Sequence, residues 1–382
     1  MSAPPRSAPT ASGRTASVPV ILAAPDKFRG TATAHQASEA IARAASSRGR
    51  RARQMPLSDG GEGFIEVLAA LGGGRERVGV TGPLGSPVEA SYLRLGNLAV
   101  LEMARASGLA LAGGSAGNDA LAATTRGTGQ LMVAAARALA RPAVATAGPG
   151  AARSVTRPIG SHGQARTIVV GLGGSATTDG GLGALRWIEG QGGLGDTEVV
   201  GACDVTVGFV DAAEGFSRQK GADESQVVEL EGRLRRLAER YEAEYGVDVR
   251  TVPGSGAAGG LGGALVVLGG RLRSGFEVVA ELVGFHDAVA RSSLVVTGEG
   301  ALDATSLSGK VVGSVVREAS ASGAASLVIA GRASLEASEA VEALGARVVS
   351  LSGRFGEERA LSDVCACIET AVAEHLDATG GG

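Results

Sequence analysis

Three short polar segments carry the residues best suited to chemistry. SDGGEG (58–63) offers Asp59 and Glu62, and APDKFRG (24–30) offers Asp26, Lys27 and Arg29. TGEGALDATSLSGK (297–310) offers Glu299, Asp303, Ser306 and Lys310. Each follows an apolar run that reads as a strand, so the acids fall at the carboxyl edge of a sheet, where open α/β folds place ligands. A fourth segment, GLGGSATTDGGLG (171–183), resembles an anion cradle. Backbone N–H groups at Gly173 and Gly174 can converge on one anion, with hydroxyls from Ser175, Thr177 and Thr178 beside them. Its Asp179 is suited to holding Mg²⁺ or taking a proton from a substrate hydroxyl, and equally to capping the helix that follows. GSGAAGGLGG (254–263), with Gly259 and Gly260, has the same character without side-chain chemistry. It would admit a phosphate or a second strand.

Carboxylates from several strand ends, a lysine and Gly-rich anion loops are the parts phosphoryl transfer requires, since its catalysis is positioning and charge neutralisation. Only three of the 36 basic residues are Lys: Lys27, Lys220 and Lys310. Arg fills the solvated positions, and a compact ammonium survives where one point of negative charge must be met. The Lys310 segment is not a Walker A loop, because Ala304 occupies the first Gly position and Val311 follows the lysine.

The elements that must carry these loops read as an α/β fold of two domains. VPVILAAPD and ARQMPL are parallel-type strands, each followed by a helix. The pattern resumes from Ser292 with SSLVVTG, SLVIAG and RVVSLSG. The expected organisation is a discontinuous parallel-sheet, Rossmann-like domain formed by 18–80 plus 288–378. It is interrupted by an inserted second α/β domain with hairpins over 81–287. Residues 1–17 read as a disordered tail and 141–166 as a surface insertion. VVELEGRLRRLAERYEAEYG has a 3.6-residue period and stops at Gly246, as a surface helix does.

Several functions are excluded. A net charge of −3 and 3% aromatic residues argue against a nucleic-acid partner. No apolar run approaches the ~20 residues of a membrane span. Three cysteines without a CxxC pair, and four histidines without HExxH spacing, indicate neither a disulfide framework nor a zinc site. No GxGxxG opens the first strand–helix unit, so nicotinamide chemistry is disfavoured. The expected compartment is the cytoplasm.

Eleven segments in order, from about Val18 to Gly353, resemble the bacterial glycerate kinase family of the glycerate 2-kinase type. They are APDKFRG, LSDGGEG, VTGPLG, LEMARASGL, ATTRGTG, GLGGSATTDGG, ACDV, RQKGA, GSGAAGGLG, TGEGALD and SLSGK. The resemblance implies ATP- and Mg²⁺-dependent phosphorylation of D-glycerate to 2-phosphoglycerate, in two α/β domains around a cleft. It implies a small-molecule partner and leaves a homodimer open. Under it, Asp179 is the leading base, with Asp59 second, and Lys310 neutralises the transferring phosphate. Gly173, Gly174, Ser175, Thr177, Gly259 and Gly260 would hold phosphates, and Glu299 and Asp303 the metal or ribose, with Asp179 and Glu299 as metal carboxylates. Asp26, Lys27, Arg29, Glu62 and Arg105 would bind substrate, Arg29 or Arg105 clamping its carboxylate. The chain departs from the family in a short 185–198 connection, in TVGFVDAAEG after ACDV, and in Ala301 where Arg is frequent. A binding or regulatory paralogue, or a kinase of another small hydroxy acid, is the alternative.

Overall fold

The computed structural model describes residues 20–141, 165–307 and 309–379. The expected 1–17 tail and nearly all of the 141–166 insertion lie outside these residues.

Apolar, β-branched runs form a five-stranded sheet that is parallel throughout. Its order is β11 (Ala346–Ser350), β10 (Ala325–Ala333), β9 (Ser292–Leu302), β1 (Val20–Ala23) and β2 (Arg51–Gln54). The inner strands bury Ile21, Leu22, Val295, Val296, Leu327 and Val328, whereas edge strand β2, with the sequence RARQ, is largely exposed. From β1 the chain moves outward to β2, and from β9 it moves outward the other way. The order therefore reverses between β1 and β9, which opens a crevice beyond their carboxyl ends. Asp26 lies just beyond the end of β1, and Glu299 lies in the last residues of β9, three residues before Leu302.

The second sheet has six strands in chain order: β3 (Gly74–Thr81), β4 (Pro87–Leu95), β5 (Leu98–Glu102), β6 (Thr167–Gly171), β7 (Glu198–Ala202) and β8 (Arg271–Arg273). It is antiparallel through β5 and parallel from there. The molecule is thus an α/β protein with two sheets, the first assembled from both ends of the chain. The expected boundary at Thr81 falls too late. Gly74 pairs with Arg94 and the whole of β3 with β4, so residues 74–80 belong to the second sheet. GRERVGVT has a polar, half-exposed pattern that does not announce a buried strand.

One core joins both sheets. Leu22 and Val295 of the first and Leu93, Val100, Val169 and Val200 of the second belong to the same buried cluster. Between them lie Phe64 and Ile65 of the helix Phe64–Ala69, with Phe276 and Phe285 meeting edge to face at 5.6 Å. Each such side chain contributes about 1.5–3 kcal/mol through burial. The helices Gly275–Val283 and Phe285–Val289 therefore form a layer between the sheets rather than part of a separate inserted body.

The helix Ala257–Val267 opens with three left-handed residues, Ala258, Gly259 and Gly260. A Cβ at Gly259 would lie 1.9 Å from the Thr177 carbonyl oxygen, and one at Gly260 would lie 2.7 Å from the Gly180 Cα. These two glycines were expected to hold phosphate. They are fully packed against the 177–180 backbone and leave no room for an anion, so the close approach is that of a second chain segment. Gly259→Ala should destabilise the fold by more than about 4 kcal/mol. Gly30→Ala, at φ +80° with open space around it, should cost only about 1–2 kcal/mol. Paired thermal or urea melts check the contrast.

Candidate active site

Two hollows meet at the loop after β1. One, of about 550 Å³, is lined by Asp26, Lys27, Asp59, Glu299, Asp303 and Lys310 among others. The other, of about 800 Å³, is bordered by Leu57, Glu62, Glu66, Val67, Arg75 and Arg105. Asp26, Lys27, Phe28, Arg29 and Thr31 line both. Phe28 anchors this shared wall. Its ring is buried, and its backbone exchanges two hydrogen bonds with Ala32 at 2.8 and 2.9 Å. Lys27 and Arg29, its neighbours on either side, both line the hollows.

Asp59 arrives from the end of β2. Its Oδ1 accepts the Gly61 N–H at 3.0 Å and lies 3.6 Å from Lys27 Nζ. The loop holding it rests on glycines and main chain of the second sheet. A Cβ at Gly171 would lie 2.5 Å from the Gly60 oxygen, and one at Gly173 would lie 2.6 Å from the Gly61 Cα. Gly60, at φ +83°, faces the Ala202 oxygen, where a Cβ would sit at 3.0 Å. These positions tolerate no side chain because backbone packs on backbone.

The electrostatics follow from burial around a few cations. Burial pushes the Asp26 carboxyl up to about 6; Lys27 opposes the rise and Asp59 adds to it. Burial likewise lifts Glu299 to about 7, against a Ser306 hydrogen bond and with Asp26 adding. One Glu299 oxygen, Oε1, is buried with no hydrogen-bond partner. Burial disfavours the Lys27 ammonium, yet Asp26 and Asp59 together hold its pKa above the ordinary value. Lys310 Nζ donates to Thr305 Oγ1 at 2.7 Å, and Thr305 in turn holds Asp303 Oδ1 through its N–H and hydroxyl.

Arg105 is already engaged. Its Nε reaches Glu102 Oε2 at 2.8 Å and its Nη2 reaches Glu66 Oε1 at 2.5 Å. Glu102 also accepts the Ile65 N–H at 3.0 Å, so this pair ties β5 to the helix Phe64–Ala69. Among the described residues, Arg29 makes no ion pair, which leaves it as the open guanidinium at the junction. Glu62 is exposed on the rim of the larger hollow.

Asp179 does not join this group. Its Oδ2 accepts from Thr125 N at 2.8 Å, Thr125 Oγ1 at 2.9 Å, Gly183 N at 3.2 Å and Thr124 Oγ1 at 3.4 Å, while Oδ1 takes Gly181 N at 3.0 Å. Burial raises its pKa against these donors. It borders a separate depression beside Leu182 and Leu234. Its Oδ2 joins the 179–183 turn to Thr124 and Thr125 at the start of the helix Arg126–Ala140, and Asp179 lines neither hollow of the cleft. Ser175 and Thr177 are buried too, Thr177 donating weakly to Ala258 O, so they do not present hydroxyls to a phosphate. Gly173 packs on Gly61, and only Gly174 of that set is exposed. Lys220 is buried and donates to Thr177 O at 2.7 Å, its pKa driven down to about 7 by burial. It pins the same loop from behind.

A model of the glycerate kinase family matches residues 21–191 and 188–377. The chain belongs to the glycerate kinase family. It is 36% identical over 328 residues to the glycerate 2-kinase of Escherichia coli (strain K12), covering 76% of this chain and 79% of that protein. It is 41% identical over 330 residues to an uncharacterized protein of Mycobacterium bovis, covering 83% and 80%. A crystal structure from Salmonella typhimurium LT2, provisionally named glycerate kinase 2, superposes with a TM-score of 0.73 at 28% identity. That match covers 95% of this chain and all of the other.

Of the glycerate kinase segments, LEMARASGL and ACDV hold two acids to which sequence reasoning assigned no role, Glu102 and Asp204. Each follows an apolar strand, and an acid closing such a run was the available signal. The three cysteines are free, and burial pushes the Cys203 thiol up to about 11, so none is an activated nucleophile.

Because Glu299 and Asp26 bind their protons more tightly when folded, the folded state carries more protons than the unfolded one between about pH 4 and 7. Their contribution to stability is therefore lost as pH rises through that window. Glu299→Gln should flatten the fall in melting temperature between pH 5 and 8. An unchanged slope would show that Glu299 is ordinary. Asp179→Asn places an amide where only acceptors fit and should cost about 1.5–3 kcal/mol, leaving turnover per folded molecule largely intact.

Proposed function

We propose that the chain transfers the γ-phosphoryl group of ATP to the 2-hydroxyl of D-glycerate, giving 2-phosphoglycerate and ADP, as a small-molecule kinase of the cytoplasm. The observation that carries this reading is the gathering of Asp26, Lys27, Asp59, Glu299 and Lys310 around one hollow at the β1/β9 crevice. Family membership and the E. coli relative named glycerate 2-kinase support it.

Asp59 is the base in this reading. Lys27 stands 3.6 Å away, and the carboxylate is open enough to receive the hydroxyl proton. Lys27 and Lys310 neutralise the equatorial oxygens of the migrating group. Arg29, which makes no ion pair among the described residues, takes the glycerate carboxylate in a two-point contact. The larger hollow accommodates the nucleotide, whose base would lie against Leu57 and Val67.

Magnesium fits these residues. Glu299 Oε1 is a buried oxygen without a partner beside Asp26, whereas Asp179 lines neither hollow of the cleft. Among the described residues no three-residue His, Cys, Asp or Glu cluster could hold a metal alone. That agrees with the usual binding of Mg²⁺ by one or two carboxylates plus phosphates. Bound there through Glu299 and Asp26, the ion would supply charge neutralisation to the donor phosphates.

Coupled ADP release with D-glycerate tests the reading, with NMR of the product to locate the phosphate. Wild-type protein should turn over and Asp59→Asn should lose about 10²-fold in kcat at nearly unchanged KM. No ADP release from the folded wild-type protein with D-glycerate would sink the proposal.

A further inference from the structure

We propose that Asp204, just beyond the end of β7, is a positioning residue that sets the place of Asp59; the inference rests on the Asp59 role proposed above. Asp204 Oδ1 accepts the Ser274 hydroxyl at 2.7 Å and the Gly275 N–H at 2.8 Å. It thereby binds the strand end to the first turn of the helix Gly275–Val283. That helix does not need a second cap, because Ser274 Oγ already accepts the Glu277 N–H.

The bond fixes a surface rather than a helix. Asp59 and Gly60 rest directly on Gly275, where a Cβ would lie 1.9 Å from the Asp59 oxygen and 2.7 Å from the Gly60 nitrogen. Gly60 also meets β7, since a Cβ there would lie 3.0 Å from the Ala202 oxygen, beside the Gly275 Cα at 3.2 Å. The Asp59 loop is thus seated on Ala202 of β7 and on the first residue of the helix Gly275–Val283, and Asp204 joins those two pieces directly, beside the β7–β8 ladder that pairs Ala202 with Arg273. The arrangement carries a cost: Asp204 Oδ2 is buried with no hydrogen-bond partner. Loss of the link would let Gly275 drift from Ala202 and carry Asp59 with it, and a displacement near 1 Å costs about 10²-fold in rate.

The test is a kinetic comparison on the full chain by ADP release. Asp204→Ala should lower kcat by about 10- to 100-fold, with KM for D-glycerate and ATP within about threefold. Asp204→Asn keeps a carbonyl oxygen able to accept both hydrogen bonds and should recover kcat to within about threefold. In an Asp59→Ala background, Asp204→Ala should add less than about twofold, since both changes remove one function. Wild-type kcat in folded Asp204→Ala, no recovery in folded Asp204→Asn, or losses that multiply with Asp59→Ala would each overturn the proposal. Should Asp204→Ala fail to fold, Asp204→Glu keeps the charge on a longer arm; it should lose kcat similarly, and wild-type turnover there would overturn the proposal as well. An Asp59→Ala enzyme that works normally would instead remove the underlying assignment of the base.

Discussion

Bare backbone meeting bare backbone at the junction of the two sheets is the constraint on which the site depends. Gly60 and Gly61, beside Asp59, lie against Gly171, Gly173, Ala202 and Gly275 at separations that no Cβ could enter. Such contact makes the position of a loop a property of main-chain geometry rather than of adaptable side chains. It also joins the first sheet, which carries Asp26, Lys27 and Glu299, to the second without a flexible hinge at that point. The shared core of Leu22, Phe64, Val169, Val200 and Phe276 holds the two sheets together behind it.

The cleft that results is tuned by desolvation. Asp26, Asp59, Glu299 and Asp303 line one hollow with Lys27 and Lys310, and burial there shifts the proton affinities of Asp26 and Glu299. Asp26 and Glu299 rise towards neutrality because burial outweighs the nearby ammonium groups. Asp59 has Lys27 closest to it.

Much of this site was legible in the chain because its parts are local. An acid or lysine closing an apolar run places itself at a strand's carboxyl end, and Asp26, Lys27, Asp59, Glu299 and Lys310 were all found that way. The glycine-rich segments were harder to read. A run such as GLGGSATTDGG is compatible with wrapping an anion or with letting another segment approach, and both need the same missing Cβ. In the fold, Gly173, Gly259 and Gly260 serve close packing, and Asp179, the most prominent acid by local pattern, joins its own loop to Thr125.

Strand periodicity, the parallel pattern at both ends of the chain and the motif order determined the α/β class, the split first sheet and the family resemblance, since these are encoded over a few residues at a time. Only the tertiary structure decided which acids share a hollow, where β3 belongs, that Arg105 is occupied while Arg29 is free, and that Asp204 stands behind Asp59. The physical reason is that each of these depends on distances between segments far apart in sequence. Burial and a neighbour's charge, which set what a carboxylate can do, exist only once those segments have packed.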